Sequence, residues 1–203
     1  MTDYGVDVSH HNDVQDWNAV HGNNISFVLL KVTESVDFVD AKSAAYADGA
    51  RGAGIAAGGY HFARPVDVAA QVAHFADRLK ERGLLATGSV WPALDMEANG
   101  FADPNAFVKD FIGQFRQRTG VQGMLVYANL NWWKNILKPD GWADDNVLLW
   151  IARYNGDPGN PGWSHPKLAL HQHSSQGSVP GIAGAVDRNA TVGSYGAGVF
   201  RIP

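Results

Sequence analysis

The chain has 203 residues, 45 % hydrophobic and 18 % charged, which is enough for one domain with a substantial core. A net charge of −4 argues against nucleic acid, which selects a basic face, and the absence of cysteine excludes disulfides and thiolate metal sites. Seven tryptophans and six tyrosines are unusual; aromatics in that number often mean a large core, but they also make platforms for stacking flat ligands such as sugars.

No basic segment or apolar signal run follows Met1, and no later stretch has the apolar length of a membrane span. Residues 4–8 read as a short strand reaching Asp7, followed by a loop with His10, His11 and Asn12. A short helix is expected over 16–20. Residues 27–32 (FVLLKV) form the nearly continuous apolar run of a strand buried on both faces, ending at Thr33-Glu34. Asp40 is read as the cap of an alanine-rich helix to about Ala50. Residues 55–62 give a third strand, glycine-rich inside, ending in Tyr60 and His61.

Val68, Val72, Phe75 and Leu79 recur at helical spacing, with Gly83 where a C-terminal cap belongs. A strand over 90–97 (VWPALDME) ends in Asp95 and Glu97, which alternation places on one face. Asp103-Pro104 supplies an N-cap and first-turn proline for a helix that Gly120 closes, with Phe107, Phe111 and Phe115 on one side. A fifth strand over 124–128 reaches Tyr127, and a short helix follows over 129–137. Residues 148–152, 168–171 and 185–187 then read as strands without helices between them. Eight strands, mostly parallel, with helices after only the first five, predict an α/β barrel related to the eight-fold βα barrel.

In such barrels the chemistry sits at the C-terminal strand ends. Those ends hold Asp7, Glu34, Tyr60, Asp95 with Glu97, Tyr127, Trp150, Gln172 and Asp187, acids and aromatics of the kind that cleave glycosidic bonds. Each has a plainer alternative: Asp7 as a loop cap, Tyr60 and Tyr127 as core, Asp187 paired with Arg188 or Arg153. A metal-dependent hydrolase is a rival, because His10, His11, His61, His171 and His173 fall near strand ends. No tight ligand pattern such as His-Glu-x-x-His supports it. Asn189-Ala190-Thr191 forms a glycosylation sequon and is read as a chance match.

Five segments in order, 7–12 (DVSHHN), 31–34 (KVTE), 59–62 (GYHF), 92–97 (PALDME) and 150–154 (WIARY), give a specific pattern. The chain resembles the glycoside hydrolase family 25 muramidases, the lysozymes of bacteria and phages, from Tyr4 to about Val192. The resemblance implies a TIM-barrel-like (β/α)5β3 barrel and hydrolysis of the β-1,4 bond between N-acetylmuramic acid and N-acetylglucosamine in peptidoglycan. It makes Glu97 the general acid and Asp7, Asp95 and Asp187 the other catalytic acids. Glu34, Tyr60, Tyr127, Trp150 and Gln172 are the expected substrate contacts. No cofactor, metal, nucleic acid or membrane partner is expected, and residues 1–203 are expected to form one catalytic domain, monomeric, without a separate wall-binding module. The expected place of action is the bacterial cell wall; either the chain is a mature or excised domain, or the protein reaches the wall by a route other than an N-terminal signal peptide. A binding module that had lost turnover would be expected to lack Asp95 or Glu97, and both are present. Two departures touch the subsites: Ser35 stands where the family commonly has glycine, and His171-Gln172-His173 replaces an aromatic beside the glutamine.

Overall fold

The computed structural model describes residues 2–203. Eight strands form the barrel: β1 (Tyr4–Val8), β2 (Ile25–Glu34), β3 (Ala56–Phe62), β4 (Ala93–Asp95), β5 (Met124–Asn129), β6 (Val147–Ala152), β7 (Leu168–Gly177) and β8 (Val186–Thr191). The five helices are α1 (Trp17–Gly22), α2 (Ser43–Gly52), α3 (Val68–Glu81), α4 (Pro104–Thr119) and α5 (Leu130–Asn135). Neighbours from β2 to β7 run parallel, and β1 joins β2 in parallel. β8 is antiparallel to both β7 and β1, and inserting it between them closes the barrel. This is the (β/α)5β3 arrangement, with helices after the first five strands only.

Alternation along each strand builds two apolar layers. In β2, Phe27 and Leu29 point into the barrel, whereas Val28, Leu30 and Val32 face the helices. Both faces of 27–30 are therefore dry, which is why that run is apolar. Gly59 of β3 is required by close approach: a Cβ there would collide with Leu79 of α3 and with Val32. The caps of α4 follow the sequence, since Asp103 accepts from the Asn105 and Ala106 N–H groups and Gly120 takes the left-handed conformation at φ 76°.

Several expectations need correction. The paired part of β4 is only Ala93–Asp95, because Pro92 has no N–H to give a ladder; Val90 bridges Arg201 instead. Asp40 does not cap α2, which begins at Ser43 after Lys42. Its buried carboxylate accepts from the backbone N–H and ring Nδ1 of His10, both at 2.8 Å, and from the Lys42 N–H at 3.0 Å. That ties the loop after β1 to the loop before α2. β7 and β8 run several residues longer than their apolar stretches, because polar residues there pair across the antiparallel seam.

The segment after β8 stops the lower end of the barrel. Ala197, Phe200 and Ile202 pack among the inner-layer residues, with Phe200 edge-on to Phe27 at 5.5 Å. Trp91 N–H donates to Phe200 and Ile202 N–H to Ser89, each at 2.8 Å. With the lower end blocked, the interior is reached only from the strand ends above.

Candidate active site

Parallel strands deliver their last residues to the upper mouth, and antiparallel β8 delivers its first. Asp187 near the start of β8 is therefore directly opposite Asp7 near the end of β1. Asp95 ends β4, beside Phe62 of β3 and Tyr127 of β5. The chain stays extended for one more residue, as Met96 N–H donates to Tyr127 at 2.9 Å. Met96 turns into the outer apolar layer, so Asp95 and Glu97 flank it on the mouth side. Asp7 and Asp95 are buried, Asp187 is half-buried and Glu97 is exposed.

Asp7 is fixed by donors. Gln172 Nε2 reaches both of its oxygens at 3.0 and 2.8 Å, and Asn189 Nδ2 reaches one at 2.7 Å. The orientation of Asn189 follows from Trp150, whose indole N–H can only donate and meets Asn189 Oδ1 at 2.7 Å. On the other side, Gln172 Oε1 accepts the hydroxyls of Tyr127 at 2.9 Å and Tyr154 at 3.1 Å. Two tyrosines and a tryptophan thus orient two amides, and the amides orient one carboxylate.

Asp95 is different. It is buried, yet its Oδ1 has no hydrogen-bond partner among the described residues. Burial raises its pKa well above the usual carboxylate range, and Glu97 adds to the shift. Burial also raises Asp7, with Asp187 next in effect, while the bonds from Asn189 and Gln172 pull the other way. Glu97 stands above its ordinary value through desolvation by the surrounding wall, against the pull of Lys31 and Arg64. Burial and then Glu97 push Asp187 up to about 6. Burial and the charges of Asp7 and Asp95 likewise hold the Tyr60 hydroxyl far above its usual range.

A raised carboxyl pKa means the folded chain binds the proton more tightly than the unfolded one. Stability from Asp187 is then fully present below its ordinary value of about 4 and lost as pH rises through about 6. Asp187→Asn is expected to equal the parent protein in urea unfolding at pH 4 and to exceed it by about 1–2 kcal/mol at pH 7.5, allowing for partial solvation. An equal stability at both pH values would contradict this account.

Glu34 is held from two sides, by Lys31 Nζ at 2.6 Å and by Arg64 Nε and Nη2 at 2.9 and 2.5 Å. Burial pushes its pKa up, but these two cations outweigh burial and keep it below its ordinary value. The following Ser35 takes the left-handed backbone at φ 55°, a conformation that glycine adopts without strain and that costs other residues about 1–2 kcal/mol.

Trp150 does not line the cleft. It is 2 % exposed, edge-on to Tyr127 at 4.6 Å, and lies in the layer beneath the acids. Trp150→Phe removes the only donor to Asn189 Oδ1 and is expected to cost about 1–3 kcal/mol in chemical unfolding. Tyr154, beyond β6, supplies the open aromatic surface instead: its ring is 59 % exposed while its hydroxyl meets Gln172. Asn189 and Tyr154 are the two site residues that the strand-end reading omits. Asn189 was legible as the residue two beyond Asp187 on the same strand face. Buried and committed on both amide atoms, it offers nothing to a glycosylating enzyme.

Three of the strand-end histidines make hydrogen bonds within the chain. His61 Nε2 faces the amide oxygen of Gln71 at 3.0 Å and so donates, leaving Nδ1 to accept the Thr33 hydroxyl at 2.8 Å; burial lowers its pKa to about 4. His10 turns to Asp40. His171 binds the Arg153 carbonyl at 2.8 Å. His173 lies beside it on the side of β7 away from the cleft, buried and without a hydrogen-bond partner on either ring nitrogen among the described residues, and burial lowers its pKa to about 4. Among the described residues, no three His, Asp or Glu side chains converge as a metal site.

Residues 6–182 match the family model of the glycosyl hydrolases family 25. The chain belongs to this family. Among curated proteins, this family 25 chain is 28 % identical over 202 residues to Lysozyme M1 of Streptomyces globisporus, covering 94 % of this chain and 68 % of that protein. It is 27 % identical over 210 residues to the N,O-diacetylmuramidase of Chalaropsis sp, covering 90 % and 95 %. Its fold superposes on the crystal structure of the bacterial lysozyme from Streptomyces coelicolor with a TM-score of 0.80, at 27 % identity and over 97 % and 94 % of the two chains.

Proposed function

We propose that this family 25 glycosidase is an N-acetylmuramidase, a lysozyme that hydrolyses the β-1,4 bond from N-acetylmuramic acid to N-acetylglucosamine in bacterial peptidoglycan. Glu97 is the general acid, and the 2-acetamido group of the muramic acid is the internal nucleophile. The observation that carries this reading is the unpartnered buried oxygen of Asp95 two residues from an exposed Glu97.

The substrate amide N–H donates to Asp95 Oδ1. Its carbonyl oxygen attacks the anomeric carbon as the bond to the departing oxygen breaks, and Glu97 gives that oxygen its proton. The resulting ring cation is offset by the buried Asp95 carboxylate. Water then attacks the anomeric carbon, Glu97 takes a proton from it, and the acetamido group is restored. Before substrate arrives Asp95 holds its proton tightly, since burial and then Glu97 raise its pKa. A donated amide N–H favours the ionised form of Asp95 and leaves the proton on Glu97, where it is needed.

Asp7 and Asp187, both with pKa raised by burial, line the same mouth beside Asp95 and Glu97. Tyr60, Tyr127, Gln172 and Tyr154 shape the subsite, with Glu34 at its edge. Two inversions at one carbon retain configuration, so an NMR time course should show the β-anomer as first product. The α-anomer appearing first, or a sugar covalently trapped on Asp95 or Asp187, would contradict this mechanism.

A further inference from the structure

Five large hydrophobic side chains are prominently exposed among the described residues: Val36, Phe38, Val66, Tyr154 and Val199. Tyr154 belongs to the cleft, and Val199 lies in the segment that stops the lower end of the barrel. The other three, 38–47 % exposed, sit on two adjacent loops at the upper mouth, after β2 and after β3. Glycan cleavage as derived above uses none of them. Exposed apolar side chains gathered on neighbouring loops beside a cleft point to a surface that meets something.

The same rim carries a prepared cation. The Arg64 guanidinium lies 4.6 Å from the Phe62 ring centre, and its Nε and Nη2 grip Glu34 at 2.9 and 2.5 Å. Its backbone is clamped as firmly, because the amide of fully buried Gln71 accepts from the Arg64 N–H and donates to the Arg64 carbonyl, both at 2.9 Å. Nη1 has no hydrogen-bond partner among the described residues. Lys31 Nζ sits between Phe38 and Phe62, 5.4 and 4.9 Å from their centres. The group holds two cations and one anion, so one positive charge remains beside a mouth of four acids. Its place is set by register: Phe62 pairs with Asp95, so Arg64 and Glu97 each lie two residues beyond on neighbouring loops.

We propose that this rim, Arg64 with Phe38 and Val66, docks the acidic stem peptide carried by the muramic acid next to the scissile bond. The proposal rests on the muramidase reading and deepens it. The glycan itself offers little to a cation. The stem, linked through the lactyl group, carries alanyl methyls and free carboxylates, which match an apolar shelf with one open guanidinium edge. A stem leaving the sugar bound at Glu97 reaches Arg64 first and the exposed side chains next.

The test is a binding ratio, measured by calorimetry on Glu97→Gln protein so that no glycan is cut. Soluble wall glycans of equal length are compared with stems intact and after an amidase has stripped them to the free lactyl carboxylate. Stemmed chains should bind about tenfold more tightly, the scale of one charge-assisted contact with a few covered methyls. Arg64→Gln should bring that ratio close to one, and Phe38→Ser with Val66→Ser should lower it to roughly three. A ratio of one in the parent, or a ratio unchanged in both variants, overturns the proposal. Equal losses on both glycans would assign Arg64 to the lactyl carboxylate, and a dimer dissolved by the Phe38 and Val66 changes would assign the shelf to a second copy; either also overturns it. Failure of the muramidase reading shows separately, as the absence of new muramic acid ends from the parent enzyme.

Discussion

Glu97→Gln is expected to lower turnover by about 10²–10⁴ while glycan binding persists, because glutamine keeps the shape and hydrogen bonds of the acid but has no proton to give. The pH profile should change with it. A general acid works only while protonated, so activity falls as pH rises through the Glu97 pKa. That value is raised by desolvation and restrained by Lys31 and Arg64, which sets an acidic to near-neutral optimum. In the variant the alkaline limb assigned to Glu97 should disappear. Near-parental turnover in a folded Glu97→Gln protein would remove Glu97 from the role.

Asp95→Asn is the second large effect. Asparagine fills the same space and can still accept one hydrogen bond, but it offers no charge to balance the cation. A loss of roughly 10²–10³ in kcat is expected, the scale of one missing electrostatic contact in a dry site. The fold should not suffer. Asp95 carries the cost of a buried acid with an unpartnered oxygen, so a neutral side chain there relieves stress. Activity falling while the unfolding midpoint holds or rises at neutral pH is the expected pair of results. A parallel fall in both would reduce Asp95 to a structural role.

Much of this was legible in the chain. Alternation and apolar runs mark the strands, Asp103-Pro104 and Gly120 bound a helix, and the loss of helical period after α5 marks three bare strands. What could not be read is depth. An apolar run locates a strand end along the sequence, but the height of a side chain in the barrel depends on how neighbouring strands are staggered. The run 148–152 therefore suggests Trp150 as cleft wall, although its ring is buried with its N–H on Asn189. Tyr154 was hidden for the converse reason, since it lies past the strand and only the loop brings its hydroxyl back to Gln172. The reversal of β8 was also silent. Nothing in Val186–Thr191 distinguishes a parallel from an antiparallel neighbour, yet the reversal is what puts Asp187 at the mouth and Asn189 one step below. Asp40 looked like a helix cap because a lone aspartate before an alanine-rich run usually is one; its burial against His10 is a long-range contact.

The most direct test of the central claim is chemical. Purified peptidoglycan is digested with the enzyme, the new reducing ends are reduced with borohydride, and the hydrolysed amino sugars are separated. A muramidase converts muramic acid to its alcohol and leaves glucosamine untouched. Reduced glucosamine, or new amino groups without any new reducing end, would contradict the account.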